Sequence, residues 1–177
     1  MSKRVVYTLG YGGRSLEEFI GLIRGYRIER VVDVRRWVKS LKFPEYSGKN
    51  LSYKLMSMGI DYMWIPELGG YRRFSVDVRD YGIATCFKSQ GFRAYATYIT
   101  RSPSAKPHLE KLVRLVSEKT SVLVCRERIP WRCHRKILSD YLVAKGFKVI
   151  HILDPGKTVE HKLSKCAIVV DGELDYK

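Results

Sequence analysis

Short apolar runs rich in β-branched residues alternate along the chain with segments whose apolar residues recur every three or four positions. The second pattern predicts helices, and the first of them begins at a capping box formed by Ser15 and Glu18. The first pattern predicts five strands, over residues 4–9, 30–34, 60–65, 121–125 and 148–153. Strands that alternate with helices indicate βαβ crossovers and a parallel sheet.

We therefore expect an α/β fold, a single-domain Rossmann-like sandwich with a mainly parallel five-stranded sheet and helices on both faces. Asp171-Gly172, directly after an apolar run, predicts a C-terminal hairpin. The predicted domain covers residues 1–177, with a core over 4–153, an irregular insertion at 71–105 and a C-terminal extension at 154–177.

The charge of the chain narrows the choice of partners. Its 33 Lys+Arg against 18 Asp+Glu give a formal net charge of +15, which favours polyanions, above all DNA or RNA. No apolar run reaches the roughly 18 residues of a membrane span, and the N-terminal residues lack the pattern of a signal peptide, so we expect a cytoplasmic protein without a membrane partner. The single Asn and single Gln favour a thermophilic source.

Arginine is concentrated where the predicted strands end, and ligands of open α/β sheets bind outside the carboxyl ends of strands. Nine of the chain's arginines, but no lysine, lie in four such segments: Arg14, Arg35, Arg36, Arg72, Arg73, Arg126, Arg128, Arg132 and Arg135. Guanidinium groups recognise phosphate by paired hydrogen bonds. A helix predicted to open at Pro130 would add free backbone N–H groups. The predicted phosphate- or nucleic-acid-binding residues are Gly10, Gly12, Gly13, Arg14, Arg35, Arg36, Arg126, Arg128, Arg132 and Arg135.

Aromatic residues accompany these arginines and offer surfaces on which bases stack. Eight lie in or next to the predicted strand ends: Tyr11, Trp37, Phe43, Tyr46, Trp64, Tyr71, Phe74 and Trp131. Alternatively, several of these residues pack in the hydrophobic core. We expect this of Trp64, because it is a large aromatic residue in a predicted strand.

Five residues at the same edge are catalytic candidates: Asp33, Glu67, Glu127, Cys133 and His134. In this topology the three acids converge, either as general acid/base groups, as ligands of a divalent cation, or as ion-pair partners of the arginines. His134 could be a general acid or base, or could orient an anion.

Two cysteines bracket the loop after the fourth predicted strand. Cys125 is predicted at the strand end and Cys133 in the first helical turn, beside arginines, and both settings lower the pKa of a thiol. A cysteine nucleophile among arginines resembles phosphatase or sulfurtransferase chemistry. The usual phosphate loop is absent, however, because Arg132 comes one position too late after Cys125. Buried structural thiols or a Cys125–Cys133 disulfide are the alternatives.

A zinc site would combine Cys125, Cys133 and His134 with His151. Neighbouring residues on a helix point about 100° apart, so Cys133 and His134 would not readily share an ion, and we assign no metal. The other two histidines, His108 and His161, have no partner by spacing and are predicted on the surface.

The turn after the first strand begins like a dinucleotide-binding fingerprint, with Asp33 at the distance of a ribose-binding acid. Ser15 stands in the third glycine position, so we expect no cofactor. The glycines are instead expected to allow the backbone to approach a phosphate or to form a tight turn.

The ordered motifs resemble the domain of unknown function 488 family. They are the segments 10–19, 31–35, 66–70, 125–127 and 133–135, with His151-Ile152 in the last core strand. The resemblance implies these signature positions: Gly10, Gly12, Arg14, Asp33, Arg35, Glu67, Gly69, Gly70, Cys125, Glu127, Cys133, His134 and Arg135. It implies one shared site at the strand ends and no particular reaction. The chain departs from the family pattern after Arg35, where a proline and a serine-arginine run are often found.

These features predict a nucleic-acid-binding protein that holds phosphates at the arginine-rich strand edge and processes a nucleotide or base there. The alternative is an enzyme that acts on a phosphorylated small molecule or a nucleotide through Glu127, Asp33 or Cys133. A second alternative is a subunit whose basic face docks on a larger ribonucleoprotein.

Overall fold

The computed structural model describes residues 2–177. Within them the chain forms five α-helices: α1 (Leu16–Gly25), α2 (Gly48–Ser57), α3 (Gln90–Arg101), α4 (Lys106–Glu118) and α5 (Arg135–Ala144). The same residues form eight strands: β1 (Val5–Gly10), β2 (Arg30–Asp33), β3 (Asp61–Trp64), β4 (Ser121–Cys125), β5 (Lys148–Asp154), β6 (Lys157–Glu160), β7 (Ala167–Val170) and β8 (Glu173–Tyr176). None of these helices has the length and apolar composition that crossing a membrane requires.

The main sheet has six strands among the described residues, in the order β3-β2-β4-β1-β5-β6. The first five strands are parallel, as predicted, and β6 pairs antiparallel to β5. The predicted number of five strands is therefore wrong by one. All four residues of β6 are exposed, so this edge strand is held by backbone pairing and carries no buried apolar pattern for the sequence to display.

Successive side chains of the strands point to opposite faces of the sheet, and both faces pack against helices. Val31, Val122 and Val124 pack with apolar residues of α1 and α2. Val32 and Leu123 pack on the other face, in a cluster with residues of α3, α4 and α5. Helices therefore cover both faces, and the adjacent apolar residues of β2 and β4 reflect this two-sided burial.

The C-terminal extension returns to the body of the protein. β7 and β8 form the predicted antiparallel hairpin, and Leu174 and Tyr176 of β8 join the core cluster on the α5 side. A disulfide joins Cys86, before α3, to Cys166, before β7. The alternative of a Cys125–Cys133 disulfide is wrong, because both thiols are free.

The helix after β4 begins later than predicted. Pro130–Arg132 forms a single 3₁₀ turn, and α5 begins at Arg135 with His134 as its N-cap residue. Cys133 lies between the two with extended backbone angles, φ −128° and ψ 151°. This break changes the relation of Cys133 to His134, because the two are not consecutive residues of one helix.

Candidate functional site

The carboxyl ends of β1, β2 and β4 open into a cleft of about 790 Å³, which we call the strand-end cleft. Its walls come from the turn after β1, the long loop after β2, residues 70–71, the loop after β4 and the residues that open α3. The volume is that of a small-molecule or nucleotide site. The cleft lies where the parallel topology predicts a ligand.

Glycines after β1 bring two loops of the cleft together. The N–H of Gly12 donates to the carbonyl of Arg126 at 2.8 Å, and the N–H of Tyr11 donates to the carbonyl of Cys125 at 3.1 Å. A Cβ on Gly10 would overlap the carbonyl of Glu127, and one on Gly12 would lie 2.6 Å from the carbonyl of Arg126. Gly10 and Gly12 therefore approach protein backbone, where a phosphate was expected. Gly13 supplies the left-handed turn, with φ +70°.

Asp33 and Arg35 form a buried ion pair in the wall of the cleft. Arg35 donates to the two carboxylate oxygens at 2.7 and 2.9 Å, and the hydroxyl of Tyr62 donates to Oδ2 at 2.5 Å. Burial and the adjacent carboxylate raise the pKa of Tyr62, so the phenol keeps its proton. Asp33 is completely buried, and both of its oxygens are occupied. Its contacts are therefore all within the protein, its catalytic role stays a prediction, and Arg35 has its counter-ion in the wall of the cleft.

Other predicted phosphate-binding arginines have internal partners too. Asp154 accepts from Arg14 at 3.4 Å and from Arg128 at 2.6 Å. Arg14 is also buried and donates to the carbonyls of Gly10 and Leu153. In the loops after β2 and β3, Asp77 pairs with Arg36 and Arg72, each at 3.4 Å. Both acids lie outside the predicted strand-end segments, so the sequence did not indicate these pairs.

The remaining acids do not converge as predicted. Glu67 lies in a 3₁₀ turn with its carboxylate 3.6 Å from Nδ1 of His108, which is half-buried, and it does not line the cleft. Glu127 does line the cleft, is exposed, and accepts from the N–H of Ile129 at 3.2 Å. It is the only carboxylate among the described residues that line the cleft.

Four cations of the cleft have no carboxylate partner in the described part of the chain, unlike Arg35, Arg36 and Arg128: they are Lys39, Lys42, Arg126 and Arg132. The two lysines lie beyond the segments that the arginine count singled out. The charge of this rim is therefore available to a ligand.

Exposed aromatic rings stand beside these cations. Trp37 is 62% exposed and Tyr71 is 78% exposed, with ring centroids 5.6 Å apart, and Phe43 is 37% exposed. By contrast, Tyr11 and Tyr46 stack on each other in the core at 4.1 Å and cannot hold a base. Trp64 is partly exposed and donates to the carbonyl of Arg35, so the expectation of a core position is wrong for it.

Two thiols and an imidazole meet at the floor of the cleft. Nδ1 of His134 lies 3.6 Å from Sγ of Cys133 and 4.0 Å from Sγ of Cys125. Nε2 of His134 lies 2.8 Å from the carbonyl of Val34, which only accepts hydrogen bonds, so this nitrogen carries the proton. In the neutral ring, the Nδ1 lone pair therefore faces the two sulfur atoms.

Of the two sulfur atoms, Cys133 has the lower pKa. Burial opposes its ionisation, but the neighbouring Cys125 thiol, His134 when it is protonated and the Arg135 guanidinium together hold the pKa of Cys133 well below its usual value. The neighbouring Cys133, followed by burial, raises the pKa of Cys125 well above its usual value. Arg135 is 1% exposed, donates from Nε to Sγ of Cys133 at 3.3 Å and pairs with no carboxylate among residues 2–177. This contact favours the ionised form of Cys133, and phosphate binding by Arg135 stays a prediction.

A buried row of hydrogen bonds runs from Arg135 away from the cleft. Arg135 donates to Thr8, whose Oγ1 lies 2.7 Å from Nδ1 of His151, and Nε2 of His151 lies 2.9 Å from Nδ1 of His161. Nε2 of His161 lies 2.8 Å from the buried carboxylate of Asp140. The surface position predicted for His161 is wrong, since its side chain is only 7% exposed. Both ring nitrogens of His151 are occupied, which excludes it as a fourth ligand of a metal at Cys133.

Comparison with known proteins identifies one relationship. The family model described as "Domain of unknown function DUF488" matches residues 15–142, from the N-cap of α1 into α5. No curated protein and no solved structure matches the chain. The matched range includes the loops after β2 and β4 and therefore most of the strand-end cleft.

Proposed function

The chain belongs to the DUF488 family, whose description names no activity, and we propose that its strand-end cleft binds single-stranded nucleic acid through phosphates and stacked bases. The observation that carries the proposal is the rim formed by Lys39, Lys42, Arg126 and Arg132, cations without an internal counter-ion among the described residues. Since Glu127 is the one carboxylate of the described chain that lines the cleft with them, the rim favours an anionic ligand.

Exposed aromatic rings direct the proposal towards unpaired bases. Trp37 and Tyr71 stand at the mouth of the cleft, and Trp37 carries the guanidinium of Arg36 over its ring at 5.1 Å. Bases in a duplex are already stacked on one another, whereas bases of a single strand are free to stack on such rings. A cleft of about 790 Å³ suits one nucleotide unit, with the rest of the strand outside it. We propose that the sheet is used as in Rossmann-like nucleotide-binding proteins, with the ligand at the strand ends.

The proposal is tested by titrating a fluorescent oligonucleotide and following its anisotropy at several salt concentrations. We expect binding of single-stranded DNA or RNA to be tighter than binding of duplex, and to weaken steeply with salt because counter-ions are released. In R126A/R132A, affinity at low salt falls, and the slope of log affinity against log salt decreases by about 0.7 for each lost phosphate contact.

Charge and stacking are separated by a second variant and a matched control. W37A removes a ring, so it lowers affinity by about 1–3 kcal/mol for a stacked base while leaving the salt slope unchanged. R114A removes an exposed arginine of α4 that does not line the cleft, and we expect it to bind as the unmodified protein does. Absence of binding at low salt, or an equal loss in R114A and R126A/R132A, contradicts the proposal.

A further inference from the structure

The floor of the strand-end cleft contains a donor set that the binding of a nucleic acid does not require. Sγ of Cys125, Sγ of Cys133 and Nδ1 of His134 all lie within 4.8 Å of one another. From these three residues we infer a zinc-binding site, with its fourth coordination position open to the cleft. The inference is independent of nucleic-acid binding, because it rests on these side chains alone.

The two sulfur–nitrogen distances are close to those of tetrahedral coordination. With Zn–S near 2.3 Å and Zn–N near 2.0–2.1 Å, the ligand atoms of a tetrahedral zinc site are separated by roughly 3.5–3.8 Å. The two sulfur–nitrogen distances are 3.6 and 4.0 Å. The first distance lies in this range and the second exceeds it by a few tenths of an ångström. The two sulfur atoms lie within 4.8 Å of each other, so they would approach by up to about 1 Å on binding. The objection that neighbours on a helix diverge does not apply, because Cys133 is extended and precedes α5.

The surroundings of the three donors suit a metal. Zinc-bound histidines usually donate their second N–H to a carbonyl or carboxylate, and His134 lies 2.8 Å from the carbonyl of Val34. Nε of Arg135, at 3.3 Å, and the backbone N–H of Arg135 donate to Sγ of Cys133, which favours the thiolate that a metal needs. A methyl group at Gly70 would lie 3.0 Å from Nδ1 of His134, so the glycine keeps the approach to this nitrogen open.

The donor types select the metal. Two cysteine sulfur atoms and an imidazole nitrogen favour Zn²⁺ over Mg²⁺ or Ca²⁺, which take oxygen ligands. Three protein ligands with one open position are typical of catalytic zinc sites, where the fourth ligand is a water or a substrate atom. Cys125, Cys133 and His134 all line the cleft, so this position faces whatever the cleft binds.

The test loads the full-length, reduced protein with Zn²⁺ or Co²⁺, removes unbound metal by gel filtration and measures metal per chain by mass spectrometry. We expect one equivalent, and with Co²⁺ the visible bands of a tetrahedral site together with sulfur-to-metal charge transfer. C125S, C133S and H134A are each expected to lose the equivalent, and G70A to bind more weakly. H108A changes a histidine outside the cleft and is expected to retain it.

Circular dichroism of each variant separates loss of a ligand from loss of the fold. If a ligand variant does not fold, the test rests on G70A, which retains all three ligand residues. The inference is overturned by metal well below one equivalent in the folded, reduced protein. It is also overturned by full retention of metal in folded C133S or H134A, or by a Cys125–Cys133 disulfide that persists under reducing conditions. No nucleic acid is present, so failure here leaves the proposed function to its own test.

Discussion

Gly10 shows how a missing side chain shapes the cleft. At this position a Cβ would overlap the carbonyl of Glu127 and approach Cα of Arg128. The backbone of β1 therefore lies against the loop after β4 at a distance that only glycine permits. This contact, rather than a phosphate, explains the glycine, and it holds Cys125 and Glu127 at their places in the cleft.

We expect G10A to lower the free energy of unfolding by about 1–3 kcal/mol, because the loop after β4 must move to admit the methyl group. G21A is the matched control, since its Cβ meets nothing within 4 Å inside α1. That variant is expected to gain up to about 1 kcal/mol from helix propensity. Urea denaturation of both variants checks the prediction, and equal stability of G10A and the unmodified protein would contradict the close approach.

At the level of single residues, sequence reasoning placed the candidate residues at one edge of the sheet but did not find the ion pairs that several of them form. A sequence shows that Arg35 and Asp33 stand near a strand end, but not that they neutralise each other in the wall of the cleft. The partners of Arg14 and Arg36 come from Asp154 and Asp77, which are distant in sequence. Ion pairs of this kind depend on tertiary contacts and leave no local pattern.

Three elements are joined by the row of buried polar groups behind the cleft. Thr8 of β1 and His151 of β5 stand side by side in the parallel register, and His161 follows β6 and reaches Asp140 of α5. Hydrogen bonds can point in one direction throughout this row if both histidines are neutral, from Arg135 to Asp140. The row therefore connects the C-terminal extension to the site without a buried positive histidine.

This arrangement makes stability depend on pH. Burial, followed by the nearby His161 and Arg135, lowers the pKa of His151 to about 3, against weaker opposing effects of Cys133 and Asp140. Between pH 6.5 and 3, His151 binds a proton in the unfolded chain but not in the folded one. Its contribution is therefore complete above pH 6.5 and is lost as the pH falls, by at most about 1.4 kcal/mol per pH unit.

Urea denaturation at successive pH values from 7 to 4 measures this slope. We expect H151N to be less stable at pH 7 and to lose less stability on acidification than the unmodified protein. The difference between the two slopes isolates His151 from the carboxylates that titrate in the acid range. Parallel curves for the two proteins would show that His151 does not carry this dependence.

The elements themselves were predicted far better than their side-chain contacts. Five strands and the hairpin follow from hydrophobic patterns that burial imposes on neighbouring residues, as in β2 and β4. β6 was missed because the sequence carries no signal for it, and the start of α5 was misplaced because the sequence carries a misleading one. β6 is an exposed edge strand, and Pro130 is a typical first helical residue that here opens only a 3₁₀ turn. Because the 3₁₀ turn ends before Cys133, this residue is extended, and its Sγ lies 3.6 Å from Nδ1 of His134.

On the scale of the whole molecule, a formal net charge of +15 acts against the compact state. Ion pairs such as Arg35–Asp33 and Arg128–Asp154 remove part of this repulsion, but the rim of the cleft remains without internal counter-ions among the described residues. Salt and a bound polyanion relieve the repulsion in different ways. Salt screens all exposed charges, whereas a strand of nucleic acid neutralises those it contacts.

These two effects predict opposite trends in thermal unfolding. At low salt, single-stranded oligonucleotide at about a hundred times its Kd should stabilise the protein by about 2.7 kcal/mol, or a rise in Tm of roughly 5–10 °C. Added salt should raise the Tm of the free protein slightly while abolishing the increment due to oligonucleotide. In R126A/R132A the increment due to oligonucleotide should shrink at every salt concentration, whereas the increment due to salt should change little. An oligonucleotide increment that survives high salt, or that R126A/R132A retains in full, would place the binding surface away from the cleft.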